Sequence, residues 1–232
     1  MLQLSGPQAT AVPGLLARAK DANAPLSMLR DAHAARLAAG LGFATRASAP
    51  QGADVPVLRS LAIDGWVRAF LDRAPGGTVV ELGVGLNTRF ERVDRGQHHA
   101  VEIDLPDIVA LRRSRLPQRA RRVHLDAVAH QSHWHGAVAG FPAPYCFVLE
   151  AVVAYVPPEG VAALLTAIVA KFPRAQVLVD VPRAWPDVFA SWTQFGMRLV
   201  EVTRFLDRST CGTCPFSSAA FRVACFETLL SR

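Results

Sequence analysis

The stretch ELGVGLNTR, Glu81 to Arg89, decides how this chain is read. It follows a β-branched run, Thr78 to Leu82, with the periodicity of a strand, and Pro75-Gly76-Gly77 separates that run from what precedes it. About twenty residues further on, the next predicted strand closes on two acids, Glu102 and Asp104. A strand, a glycine turn and a carboxylate at the end of the second strand together suit a nucleoside. Gly83 and Gly85 let the backbone approach the ligand, and Asp104 is placed to accept hydrogen bonds from ribose hydroxyls. A dinucleotide turn would carry a third glycine where Thr88 stands, because that glycine allows close helix–strand packing beside a pyrophosphate. The pattern favours a ligand with a ribose and no phosphate over NAD.

Outward from this turn, strands are expected at His98 to Ile103, Arg122 to Leu125, Tyr145 to Glu150, Gln176 to Val181, Met197 to Thr203 and Ala219 to Phe226. Helices alternate with them. Residues 58–72 place Ile63, Trp66, Val67 and Phe70 on one stripe, and after Pro157-Pro158 the residues Val161, Leu164, Leu165 and Ile168 recur at helical spacing. Trp185 to Phe195 supplies a further helix. Asp207 to Ser218 has too little helical pattern for a crossover, so the last two strands are expected as an antiparallel hairpin. The fold class is α/β: a seven-stranded Rossmann-like sheet in the order 3-2-1-4-5-7-6, last strand antiparallel, the layout of class I methyltransferases. The ribose-bearing ligand that fits such a sheet is S-adenosylmethionine. Residues 1–57, with helical patterns at Leu15 to Lys20 and Leu29 to Leu41 and a loop-like Ala44 to Pro56, are expected as a helical lid over a 58–232 cofactor-binding domain, one compact unit overall.

Composition excludes several classes. The chain has 232 residues, 51% of them hydrophobic, which suffices for one large core. No apolar run reaches the roughly 18 residues of a membrane span, so no membrane partner is expected. The net charge is +6, but only Lys20 and Lys171 among the basic residues are lysines, a skew that says little about polyanions. The one dense cluster, Arg112, Arg113, Arg115, Arg119, Arg121 and Arg122, lacks interleaved aromatics and reads as a solvated helix and loop face, without nucleic acid. The opening residues lack signal-peptide features, and four cysteines are too few for a disulfide framework, so the cytoplasm is the expected compartment. His130, His133 and His135 with Cys211 and Cys214 form a weak zinc pattern, because the expected strand order separates the two groups. No metal is expected.

Several separate motifs, in order, resemble the leucine carboxyl methyltransferase family, including its bacterial tetracenomycin-type polyketide O-methyltransferases. They are ARAKDANAPLSMLRDAHA (17–34), LRSLAIDGWVRAFL (58–71), ELGVGLNTRFERVD (81–94), VEIDLPDIVALRR (101–113), LEAVVAYVPPEGVAALL (149–165) and VLVDV (177–181). The resemblance implies that S-adenosylmethionine is the cofactor and that Arg59 pairs with its methionine carboxylate. It further implies that Gly83 lies against the methionine part of the cofactor, that Asp104 takes the ribose hydroxyls, and that Asp126 and Ala127 line the adenine. Glu150 would face the amino group, and Lys20 lies in a segment that gives some members a second carboxylate contact. The chain departs from the family at Asn87, where Asp is usual, at Val84, where Ala is common, and at Ala32, where Pro follows the aspartate.

The implied reaction is O-methylation of a carboxylate or hydroxyl of a small molecule. A carboxylate acceptor needs no base, whereas a phenol gains from one, for which Tyr155, His98, His99 and His124 are candidates by position. No catalytic residue is assigned. Only 52 residues follow Asp180, fewer than the family's acceptor-pocket insertions use, so an open cleft or a second subunit of a homodimer is expected to hold the acceptor. The competing reading, motivated by the same short segment and by Asn87, is an inactive scaffold protein of a biosynthetic complex. Methylation of nucleic-acid bases is disfavoured, because LEAVVAYVPP stands where an N-P-P-Y-like motif would be needed.

Overall fold

The computed structural model describes residues 9–43, 54–182, 197–205 and 221–228. The elements run α1 (Ala11–Ala22), α2 (Ala32–Gly40), α3 (Asp54–Arg73), β1 (Thr78–Leu82), α4 (Arg89–Val93), β2 (His99–Asp104), α5 (Pro106–Arg115) and β3 (Arg122–Asp126). They continue with α6 (His135–Ala139), β4 (Tyr145–Leu149), a 3-10 turn at Val153–Tyr155, α7 (Pro158–Lys171), β5 (Gln176–Pro182), β6 (Met197–Phe205) and β7 (Phe221–Thr228). The seven strands form one sheet in the order β3-β2-β1-β4-β5-β7-β6. β7 runs antiparallel to both its neighbours, and the pairs among β1 to β5 are parallel. The expected order and the reversed last strand are both present. The predicted helix Trp185 to Phe195, the loop Asp207 to Ser218 and the cysteines Cys211 and Cys214 lie outside the described residues.

Every residue of β1 is buried, as expected of a central parallel strand covered on both faces. On one face Val80, Leu82, Phe147, Leu149 and Val177 pack under Val161, Leu164, Leu165 and Ile168 of α7. Burying those four aliphatic side chains contributes about 1.5–3 kcal/mol each. On the other face Val79, Cys146, Val148 and Leu178 meet Ile63, Val67 and Phe70 of α3. Both apolar stripes read from the sequence thus face the sheet. α3 begins at Asp54, within the stretch assigned to a loop; Pro56 sits in its first turn, where the missing N–H forfeits no helix hydrogen bond. The other loop residues, 44–53, lie outside the described set.

α1 and α2 pack on each other and onto Leu86, Leu111 and Leu116, so the amino-terminal helices share a core with the glycine turn and α5. No helix among the described residues is long and apolar enough to cross a membrane.

His135 on α6 lies edge-on to Trp134, with ring centroids 4.2 Å apart, and neither ring nitrogen has a hydrogen-bond partner. Burial first, and the Lys171 cation second, hold its imidazole below the ordinary value of 6.5. The unfolded chain takes up a proton near pH 6.5 that the native state resists, so stability is full above that pH and falls as the pH drops below it. Urea midpoints at pH 7 and pH 5 are therefore expected to differ more for the wild type than for His135→Phe. His98, whose burial shifts it the same way, remains in both proteins and leaves a common residual slope. An identical difference in the two would remove His135 as the source.

Candidate functional site

The strand order reverses direction between β1 and β4, and an open α/β sheet binds its ligands outside the carboxyl ends of the strands at such a point. The glycine turn leaves β1 there. Gly83 and Gly85 adopt φ of 66° and 54°, left-handed conformations that residues with a Cβ rarely enter. The N–H of Gly83 donates to the Ile103 carbonyl at 2.8 Å, which ties the turn to β2.

Asp104 ends β2. Its Oδ2 accepts from the Gly85 N–H at 2.6 Å and its Oδ1 from the Leu105 N–H at 2.7 Å. Burial raises its carboxyl above the ordinary value, and the Gly85 and Leu105 donors oppose that rise. Asp126 is in register with Asp104 on the neighbouring strand and is exposed, and the Ala127 N–H donates to the Asp104 carbonyl at 3.0 Å. Five of the sequence-chosen residues, Gly83, Gly85, Asp104, Asp126 and Ala127, thus line the ends of β1, β2 and β3.

The other two, Arg59 and Glu150, are in direct contact across the end of β4. Arg59 Nε donates to Glu150 Oε1 at 3.1 Å, and its Nη1 donates to Asp180 Oδ2 at the same distance. Ser60 Oγ donates to Glu150 Oε1 at 2.8 Å. On the far side of Glu150, Oε2 accepts from Asn87 Nδ2 at 3.0 Å and pairs closely with Arg89. Burial alone would raise the Glu150 carboxyl, but the Arg89 and Arg59 guanidinium groups pull it well below the ordinary carboxylate range. The Ala151 N–H donates to Asp180 Oδ1 at 2.6 Å, with Ala151 itself at a φ of 58°. A left-handed alanine costs roughly 1–2 kcal/mol, and the surrounding hydrogen bonds hold it in place.

Sequence reasoning passed over most of the charged residues behind Glu150. Arg89 is fully buried and pairs with Asp64, Glu81 and Glu150. Arg92 pairs with Asp64 at 2.7 Å and with Asp31 at 2.6 Å. Thr88 Oγ1 donates to the Asp31 carboxylate at 2.6 Å, so the residue standing where a dinucleotide turn has glycine ties the turn to α2. Asn87 both donates to Glu150 and accepts from Arg92 Nη2 at 3.0 Å, a two-way role that the family's usual carboxylate lacks.

Lys20 is exposed, whereas Arg18, two residues earlier on α1, is buried and its Nη2 donates to the Leu86 carbonyl at 3.0 Å. Burial and the neighbouring Arg92 lower the Arg18 guanidinium to about 10. The arginine cluster is not one solvated face: Arg112 pairs with Glu102 at 2.7 Å and Arg122 with Glu91 at 3.0 Å, both buried. Arg119 and Arg121 bond Glu91 and Asp94, and Arg113 donates to the His124 carbonyl at 2.7 Å, because β3 and α4 present acids and carbonyls to them.

Of the proposed bases, His98 and His99 stand at the opposite end of β2 from Asp104, and His124 lies 2.8 Å from Glu102. Tyr155 is on the 3-10 turn that follows Glu150. His130 and His133 are exposed while His135 is buried, and no cluster of three His, Cys, Asp or Glu suited to a metal occurs among the described residues.

The family model of leucine carboxyl methyltransferase matches residues 12–169. Over 196 residues the chain is 26% identical to the tetracenomycin polyketide synthesis O-methyltransferase TcmP of Streptomyces glaucescens, covering 83% of this chain and 72% of that protein. Among solved structures, magnesium protoporphyrin IX methyltransferase (ChlM) of Synechocystis PCC 6803, with bound SAM, is similar at a TM-score of 0.56 and 12% identity, covering 98% of this chain and 100% of that one. The 1,6-didemethyltoxoflavin-N1-methyltransferase of Burkholderia thailandensis gives a TM-score of 0.51 and 12% identity, covering 99% of this chain and 93% of that one. At such identities the structural likeness is one of fold. The family match, by contrast, runs from α1 into α7 through the glycine turn, Asp104 and Glu150, and the chain belongs to the leucine carboxyl methyltransferase family of S-adenosylmethionine-dependent methyltransferases.

Proposed function

We propose that this enzyme methylates an oxygen, of a carboxylate or a hydroxyl, on a small molecule. The observation that carries the reading is the 26% identity over 83% of the chain to a protein named as a polyketide O-methyltransferase. The residues present fit the cofactor. A Cβ on Gly83 would stand 2.7 Å from Val152 Cγ2, so the turn has no room for a side chain and keeps its backbone bare at the end of β1. Arg18 Nε is buried without a hydrogen-bond partner, with Asp31 Oδ2 3.6 Å away, which suits a second anionic contact beside Arg59.

Bound S-adenosylmethionine supplies a methyl group on a sulfonium, already activated for in-line displacement by an acceptor oxygen. Asp104 retains acceptor capacity beyond its two backbone donors and takes the ribose hydroxyls. Arg59 and Arg18 hold the methionine carboxylate, and Glu150, kept ionised by Arg89 and Arg59, attracts the amino group. Asp126 and Ala127 flank the adenine. These side chains supply proximity and alignment rather than bond-breaking chemistry. Exposed Leu26, Met28, Leu61 and Tyr155 provide apolar surface for an acceptor or for a second subunit. The internal bonding of the arginine cluster favours a small molecule over nucleic acid, and the reading places the reaction in the cytoplasm.

Calorimetric titration with S-adenosylmethionine and S-adenosylhomocysteine is expected to show micromolar binding that Asp104→Ala weakens about tenfold or more. Absence of binding by the wild type would leave the inactive scaffold as the better reading. With a labelled methyl donor, mild alkali releases methanol from a methyl ester and not from a methyl ether, which distinguishes carboxylate from hydroxyl acceptors. A product whose label sits on nitrogen or carbon would overturn the proposal.

A further inference from the structure

Arg112 is a buried cation that the chemistry above leaves unused. Its side chain is shut away from solvent between Glu102 and the glycine turn. Nε donates to Glu102 Oε2 at 3.1 Å, and Nη2 lies 2.7 Å from the same oxygen. Burial alone would raise the Glu102 carboxyl, but Arg112, ahead of His124 and Arg122, brings it down to about 2. The Glu102 carboxylate is therefore ionised throughout the working range. The remaining corner of the guanidinium reaches the turn, where Nη1 donates to the Gly85 carbonyl at 2.8 Å and to the Asn87 carbonyl at 2.7 Å. Gly85 is thus gripped on both sides, its carbonyl by Arg112 and its N–H by Asp104 Oδ2 at 2.6 Å. A planar guanidinium fixed at two edges transmits orientation in a way a flexible ammonium does not.

We propose that Arg112 is a positioning residue for the ribose end of the cofactor site: by holding the carbonyls of Gly85 and Asn87 it aims the Gly85 amide, and through that amide the Asp104 carboxylate. Glu102 is the strut that holds Arg112. This rests on the placement of the ribose at Asp104. A residue that merely stabilised the fold would weaken all ligands alike, whereas one that aims Asp104 weakens specifically the contact with the ribose hydroxyls.

The test is a cycle of two proteins and three ligands: wild type and Arg112→Lys, titrated with S-adenosylhomocysteine and with its 2′-deoxy and 3′-deoxy analogues, melting curves being recorded for each protein. The wild type is expected to lose about tenfold or more in affinity for the analogue lacking the hydroxyl that meets Asp104. Folded Arg112→Lys is expected to bind the parent ligand about tenfold more weakly and to lose little more when that hydroxyl is removed. Equal deoxy penalties in the two proteins would overturn the positioning role and leave the ribose placement standing. Wild-type binding with no deoxy penalty, or no binding at all, would overturn the ribose placement and this role with it. If Arg112→Lys does not fold, Glu102→Gln, which removes the strut's charge and keeps the guanidinium, is compared with the wild type in the same way.

Discussion

Arg89→Met is expected to leave little folded protein, with a urea midpoint near zero by circular dichroism. Arg89 lies at the start of α4 with its side chain fully buried, and it neutralises Asp64, Glu81 and Glu150 together. Removing one member of a buried pair costs about 3–5 kcal/mol, because the partner charge is left without compensation. Here three carboxylates lose a partner at once, of which Asp64 keeps Arg92 and Glu150 keeps Arg59, against a total stability of about 5–15 kcal/mol for a domain. Protonation can relieve one of them, since burial already raises the Glu81 carboxyl against the pull of Arg89. It does so at a stability that then depends steeply on pH. Arg95, whose pairing with Asp72 is exposed, provides the comparison: Arg95→Met should change stability by no more than about 1 kcal/mol. Near-equal midpoints for the two variants would mean that the cluster does not bear the charge balance assigned to it.

Gly83→Ala carries the second large effect, and it splits into two physical parts. A Cβ at a φ of 66° strains the backbone by roughly 1–2 kcal/mol, and its 2.7 Å approach to Val152 Cγ2 adds an overpacking cost of about 1–3 kcal/mol. If the turn shifts to escape both, the loss appears in affinity for S-adenosylhomocysteine, on the order of 100-fold. Adding Val152→Ala removes the clash and leaves the strain, so the double variant should recover part of the affinity and not all of it. Full recovery would assign the whole effect to packing. Wild-type affinity in Gly83→Ala alone would mean that the turn tolerates a side chain against Val152 at no cost to the proposed cofactor site.

The fold was legible because its signals are local and repeated. Each strand is a short apolar run, and the stripes on α3 and α7 fall at helical spacing, so core positions such as Ile63, Val67, Leu164 and Ile168 follow from periodicity alone. The turn and Asp104 were legible for a related reason: glycine and an acid at fixed distances from a strand mark a backbone geometry. The charged layer was not. Glu81, Glu102, Arg89 and Arg112 look like surface residues in one dimension, and only the pairing of β1 with β2 and β2 with β3 brings Glu81, Glu102 and His124 into one buried row. For the same reason Arg112 and Arg122 were assigned to solvent: nothing local announces that their acids arrive from β2 and α4. On α1 it is Arg18 and not Lys20 that falls on the inward side, a difference of two residues that the sequence alone does not decide.

Asp31 caps α2 by accepting from the Ala34 N–H at 2.9 Å and has Arg18 of α1 3.6 Å away, yet the side chains that hydrogen-bond to it, Thr88 and Arg92, lie about sixty residues later in the chain. During synthesis α1 and α2 therefore leave the ribosome well before Thr88 and Arg92, which complete the bonding of Asp31, exist. Until β1 and α4 have followed, a carboxylate and an arginine destined for burial remain in water, and hydration opposes their enclosure. These two helices are thus made before the groups that complete their burial, and the glycine turn, the proposed cradle of the cofactor, is also the keystone on which they close.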